Sequence, residues 1–180
     1  MKTLIIHPKD SSTDFLKPIY SGLDEVTLVT RDWSRDQIIE AIQTHDQVMM
    51  MGHGGPWGLF GINFPEALVI NGKCVEALSQ KDNNIFIWCN ADRFVNHHNL
   101  KGFYSGMFVS EVHETKYCLL EAWDQYSVTE SNDGFARLLG ACLLETRDPA
   151  LIHQRISDEY GVLAGTNLIA EYNHQRLYLN

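Results

Sequence analysis

The stretch Asp46-Gln47-Val48-Met49-Met50-Met51-Gly52-His53-Gly54-Gly55 constrains this chain more than any other. Gln47 to Met51 reads as a buried strand, and it breaks off into a histidine set among three glycines. A titratable imidazole is thereby placed at the C-terminal edge of a strand, which is where open α/β sheets gather their ligands. A second run, Asn84-Ile85-Phe86-Ile87-Trp88, ends in the same abrupt way at Cys89. Strands lying side by side would bring His53 and Cys89 together as a base and a nucleophile.

The rest of the pattern supplies the sheet. Thr3 to His7 and Glu25 to Thr30 read as strands, separated by a helix that starts at the Ser11-Ser12-Thr13-Asp14 cap and ends at Gly22. Ser34 caps a second helix with Ile38, Ile39 and Ile42 on one face. Pro56 to Asn71 reads as a hairpin or flap beside the histidine, and Asn71 to Leu78 as a short helix returning across the sheet. Asn90 to Phe94 is a turn into a helix, and Gly102 to Ser110 a fifth strand. Helices are expected over Glu114 to Asp124, Asp133 to Glu145 and Pro149 to Tyr160, followed by a last strand or irregular tail at Asn167 to Tyr172. The expected fold is a single α/β domain over residues 1–180, with a mostly parallel sheet in flavodoxin-like order and helices on both faces. A length of 180 residues with 44% apolar and 21% charged residues fits such a domain.

Charge and cysteine usage narrow the partners. A formal net charge of −9 argues against a nucleic-acid backbone or an anionic membrane surface. The apolar run Leu4-Ile5-Ile6 stops at His7-Pro8, too short for a secretory segment, and no run is long enough to span a bilayer. Cys74, Cys89, Cys118 and Cys142 form no C-x-x-C pair, so the expected setting is reducing and cytoplasmic. Cys74, Cys118 and Cys142 read as small apolar residues on helix faces. His97 and His98, being adjacent, point apart and do not suggest a shared metal ion, and His7 is expected at the same sheet edge as His53. No phosphate-loop or dinucleotide glycine pattern is present.

The two strand ends, taken with the element order, resemble the caspase-like fold of the clan CD cysteine peptidases. Gly52-His53-Gly54-Gly55 looks most like the metacaspase and CHAT form of the histidine motif, and Ile85-Phe86-Ile87-Trp88-Cys89 occupies the position of the cysteine motif. The two residues are 36 apart, where caspases have about 50. Where many members carry glycine just after the cysteine, this chain has Asn90-Ala91-Asp92. The resemblance covers roughly residues 1 to 125. It implies a peptidase with Cys89 as nucleophile, His53 as general base or general acid, backbone N–H groups of Gly54 and Cys89 as oxyanion donors, and no cofactor or metal. The acidic charge, with Glu111, Glu114 and Asp92 near the expected site, favours a lysine or arginine before the cut bond in a peptide or protein substrate. Arg93 is the one arginine near that site, too few for an aspartate pocket. Trp57 and Phe60 of the flap could shield the acyl-enzyme. The chain is expected as a monomer or homodimer. Two other readings stay open: a catalytically inactive caspase-like binding module, and a flavodoxin-like protein holding a small ligand.

Overall fold

Alternate residues of the central strands face opposite ways, and the core divides accordingly. A computed structural model of the protein describes residues 1–31, 33–63, 67–118 and 124–180. Along the chain run β1 (Thr3–Ile6), a 3-10 segment (Ser11–Ile19), β2 (Val26–Val29), α1 (Arg35–Thr44) and β3 (Gln47–Met51). Three short strands follow, β4 (Gly54–Gly55), β5 (Gly58–Phe60) and β6 (Leu68–Ile70). The chain returns through a 3-10 turn (Gly72–Cys74) and α2 (Val75–Leu78) to β7 (Asn84–Ile87), α3 (Ala91–His98) and β8 (Gly102–Ser105). A 3-10 segment (Val112–Cys118), α4 (Gln125–Glu145), α5 (Pro149–Ala164), α6 (Leu168–His174) and β9 (Leu177–Leu179) complete it.

The main sheet has the order β2-β1-β3-β7-β8-β9. The first five strands are mutually parallel, and β9 runs antiparallel to β8 with Tyr104 opposite Tyr178. On one face Leu4, Ile6, Val48, Met50, Phe86 and Trp88 pack with Ile38 and Ile42 of α1, Leu78 of α2 and Phe94 of α3. On the other, Ile5, Met49, Met51, Ile85, Ile87 and Phe103 pack with Leu16 and Ile19, with Phe135 and Leu139 of α4, and with Ile152 and Ile156 of α5. Both faces of the sheet are covered, as a parallel sheet requires. The α/β class and the mostly parallel sheet of the sequence reading are therefore observed. No helix among the described residues is long and apolar enough to cross a membrane.

Several boundaries differ from the sequence reading. The segment after β1 is a 3-10 helix throughout, and Pro18 within it cannot donate an i→i−4 bond. The flap is a three-stranded antiparallel sheet, β4-β5-β6, with residues 64–66 outside the description. The helix expected over Glu114 to Asp124 is a 3-10 segment up to Cys118, and its remainder, residues 119–123, lies outside the described residues. α4 starts at Gln125 instead of Asp133, because the Asp124 carboxylate caps it by accepting from Ser127 N–H.

Two corrections bear on the site. The fifth strand ends at Ser105, not Ser110, because the chain leaves the sheet to pass over Cys89. Asn167 to Tyr172 is no strand: Asn167 Oδ1 accepts from the N–H groups of Ile169 and Ala170 and starts α6. The closing strand comes after that helix, as β9.

Candidate active site

β3 and β7 are adjacent and parallel, so their C-terminal ends deliver His53 and Cys89 to one edge of the sheet. Both residues line a single small cavity, together with Phe15, Trp88, Phe108 and Ser110. Its volume is about 20 Å³, room for roughly one water molecule.

The histidine turn is built from glycine for steric reasons. Gly52 has φ +136°, a conformation L side chains rarely adopt, and it lets the chain turn out of β3 while Gly52 N–H still donates to Ile87 O at 3.0 Å. At Gly54 a Cβ would lie 2.2 Å from the Trp88 indole. The indole packs close against this backbone, and its Nε1–H donates to the Gly55 carbonyl at 3.1 Å. The residue before the cysteine thus clamps the turn that carries the histidine.

Around His53 the contacts are polar. Its Nε2 lies 2.6 Å from Ser12 Oγ and 3.8 Å from the Asp10 carboxylate. Both partners come from the segment that leaves β1, the strand on the other side of β3.

On the cysteine side, β7 stops at Ile87 because the Ser105 hydroxyl takes over from the backbone ladder, accepting from Trp88 N–H at 3.1 Å and donating to Trp88 O at 2.9 Å. Asn90, next after the cysteine, has φ 63° and ψ 30° and caps α3. Asparagine is among the few residues other than glycine that visit this left-handed region. The turn that a glycine would make freely is made here by asparagine, and its N–H donates to Gly106 O at 3.0 Å.

Cys89 Sγ donates to the Phe108 carbonyl at 3.3 Å. Burial, with a smaller effect from the Glu114 charge, pushes its thiol up to about 12. The resting cysteine is a neutral thiol with a satisfied hydrogen bond. The loop covering it is pinned from two helices: Asn173 of α6 brackets Val109 through bonds to its N–H and carbonyl, and Asn132 of α4 donates to Ser110 O.

The acidic residues named from sequence divide three ways. Glu114 spends its carboxylate on the loop itself, accepting from Ser110 N–H, Ser110 Oγ and Glu111 N–H. Glu111 lines a neighbouring groove of about 390 Å³ with Ser12, Phe15, Ser110, Asn132 and Asp133. In that groove Asn132, 6% exposed, has an Oδ1 with no hydrogen-bond partner among the described residues. Asp92 sits in the first turn of α3, where its charge acts on Tyr104, and it is not among the residues lining either space.

Trp57 is 75% exposed and borders a separate groove with Arg93, His97 and His98. The rings of His97 and His98 are in edge contact, with centroids 4.6 Å apart. No group of three or more His, Cys, Asp or Glu residues fit to hold a metal occurs among the described residues. Cys74 and Cys142 are buried, while Cys118 is partly buried against Val109, Val128 and Ile169. His7 does reach the expected sheet edge, but buried, with Nδ1 2.9 Å from Tyr20 Oη and Nε2 3.1 Å from Thr13 Oγ1.

Sequence reasoning named neither Asp10 nor Ser12 as a site residue. The signal was available, since a doubly wound order puts β1 beside β3 and so puts the exit of β1 beside the histidine turn. Comparison with known proteins finds no match: no family model, no curated protein and no solved structure is similar to this chain.

Proposed function

We propose that this protein is a cysteine peptidase in which Cys89 attacks the scissile carbonyl and His53 moves the proton. The observation that carries the reading is the shared cavity of His53 and Cys89 at the ends of adjacent parallel strands. The resemblance to clan CD peptidases in the two motifs adds to it.

In the reaction, Cys89 Sγ forms a bond to the carbonyl carbon as its thiol proton passes to His53. The carbonyl oxygen becomes an oxyanion, for which the backbone N–H groups of Gly54 and Cys89 are the candidate donors. The C–N bond then breaks, and the leaving amine takes the proton from His53. Water attacks the thioester, gives its proton to His53, and the acid departs as the proton returns to sulfur. Burial pushes the resting thiol up to about 12, so in this mechanism Cys89 starts as the thiol and gives its proton to His53 at the bound substrate.

A lysine or arginine side chain before the cut bond suits the groove beside the cavity. Glu111 and Asp133 bring negative charge there. The test is labelling by an acyloxymethyl ketone that carries lysine. Cys89 is expected to react far faster than Cys74, Cys118 and Cys142, and His53→Ala to abolish the difference. Equal labelling of the accessible thiols would overturn the reading.

A second reading has its own support. The small cavity, the neutral thiol and the Phe108 hydrogen bond also suit a module of this fold that binds a partner without cleaving it. Saturable binding of a basic peptide with no labelling of Cys89 would favour that module. A flavodoxin-like role has less support, because the cavity that His53 and Cys89 share, about 20 Å³, is too small for a flavin ring.

A further inference from the structure

The proton on a histidine cannot be seen directly, but its neighbours decide where it sits. Ser12 Oγ has one proton and two acceptor sites. It lies 2.8 Å from Asp10 Oδ1 and 2.6 Å from His53 Nε2. The Asp10 carboxylate also accepts Ser12 N–H at 2.9 Å, and these two bonds hold it below the usual carboxylate range. An ionised carboxylate only accepts, so the Ser12 proton points to Asp10. The hydroxyl oxygen is then left to accept from His53, and Nε2 must carry the hydrogen.

We infer that Asp10 and Ser12 are positioning residues for His53: the Asp10 carboxylate polarises the Ser12 hydroxyl, which holds the ring through Nε2–H. The arrangement does through a hydroxyl what an orienting carboxylate does directly in other base–orienter pairs. When the ring takes the thiol proton, the new positive charge meets the Ser12 oxygen dipole, with the Asp10 carboxylate 3.8 Å away. The Asp10 bond to Ser12 N–H also caps the 3-10 segment, so the pair is held by the fold before any substrate arrives.

The consequence for catalysis rests on the peptidase reading, whereas the geometry does not, and the experiment separates the two. Long-range ¹H–¹⁵N correlation of His53 is recorded at about pH 8.5, where an ordinary imidazole is neutral. The wild type is expected to show the Nε2-protonated tautomer. Ser12→Ala is expected to move the ring to a tautomer mixture, and Ser12→Thr, which keeps a hydroxyl, to restore the wild-type pattern. An Nδ1-protonated ring in the wild type, or no change in Ser12→Ala, would overturn the assignment.

On a lysyl-peptide amide, Ser12→Ala and Asp10→Asn are expected to lower kcat by roughly 10-fold or more, a part of the ~10²–10⁴-fold that a positioned acid–base group contributes. KM should stay within about 2-fold, and Ser12→Thr should recover most of the loss. An unchanged kcat would also overturn the positioning role. The expected tautomer in a wild-type protein that hydrolyses no peptide would support the Asp10–Ser12–His53 arrangement and count against the peptidase reading alone.

Discussion

Trp88 Nε1 donates to the Gly55 carbonyl at 3.1 Å, joining the last residue before the cysteine to the turn that carries the histidine. Trp88 is 1% exposed, so no water replaces that bond if it is lost. Trp88→Phe keeps most of the packing and removes the indole donor, at a cost of about 0.5–1.5 kcal/mol, to be measured by urea denaturation. Gly54→Ala attacks the same contact from the other side. Its Cβ would meet the indole at 2.2 Å and Gly58 O at 2.8 Å, so either the turn or the indole must shift. Overpacking of this kind costs about 1–3 kcal/mol. Both variants are expected to slow probe labelling of Cys89 although neither touches its sulfur.

Cys89 predicts an alkaline limit. With the folded thiol at about 12 and the unfolded thiol near 9.0, the unfolded chain loses its proton first as pH rises. The folded state then binds more protons, so stability falls with rising pH over that interval. Urea midpoints taken between about pH 8 and 10.5 should decline, and less steeply in Cys89→Ala. Iodoacetamide should modify native Cys89 slowly at neutral pH, with a rate that climbs through the alkaline range without a plateau.

His7 predicts the opposite limb. Burial lowers its pKa to about 4 from an ordinary 6.5, with Thr13 and Tyr20 holding the neutral ring. Above about pH 6.5 the ring is neutral in both states and contributes no pH dependence. Between that value and about 4 the unfolded chain takes up a proton that the native state refuses. Stability therefore falls as the solution is acidified, by about 1.4 kcal/mol per pH unit at most from this residue. His7→Gln should be less stable at neutral pH and show a shallower acid slope, read from denaturation midpoints at about pH 7 and 4.5.

The sheet and the pairing of its two loaded strand ends were legible because burial on both faces leaves a plain mark. Val48 to Met51 and Ile85 to Trp88 are unbroken apolar runs, and each stops at a residue with chemistry. What was not legible depended on contacts between distant segments. The run from Gly102 to Ser110 looks continuous, yet it leaves the sheet at Ser105 because Cys89, Asn132 and Asn173 bind the loop that follows. Asn167 to Tyr172 is short and apolar enough to pass for a strand, and only the double acceptance by the Asn167 side chain marks it as a helix start. Ser12 was read as part of a cap, but the cap is Asp10, which accepts from Ser12 N–H, and the Ser12 hydroxyl faces His53 across 41 residues of sequence. No local pattern encodes that.

Glu111 and Glu114 look interchangeable in sequence, and the structure separates their roles in a way that substitution can measure. Glu114 accepts three hydrogen bonds that shape the loop over Cys89, whereas Glu111 faces the groove with its carboxylate 4.0 Å from His113 and 34% of its side chain exposed. Glu114→Ala leaves the N–H groups of Ser110 and Glu111 and the Ser110 hydroxyl without their acceptor. A loss of about 1–3 kcal/mol in stability is expected, with faster iodoacetamide modification of Cys89 as the cover loosens. Glu111→Gln should leave the denaturation midpoint within about 0.5 kcal/mol of wild type, as surface changes do. It should instead reduce the preference for a lysyl over a norleucyl probe, and Asp133→Asn should reduce it further. If the preference survives both changes, the charge of this groove does not select the substrate; if Glu111→Gln unfolds the protein, its carboxylate supports the loop as Glu114 does.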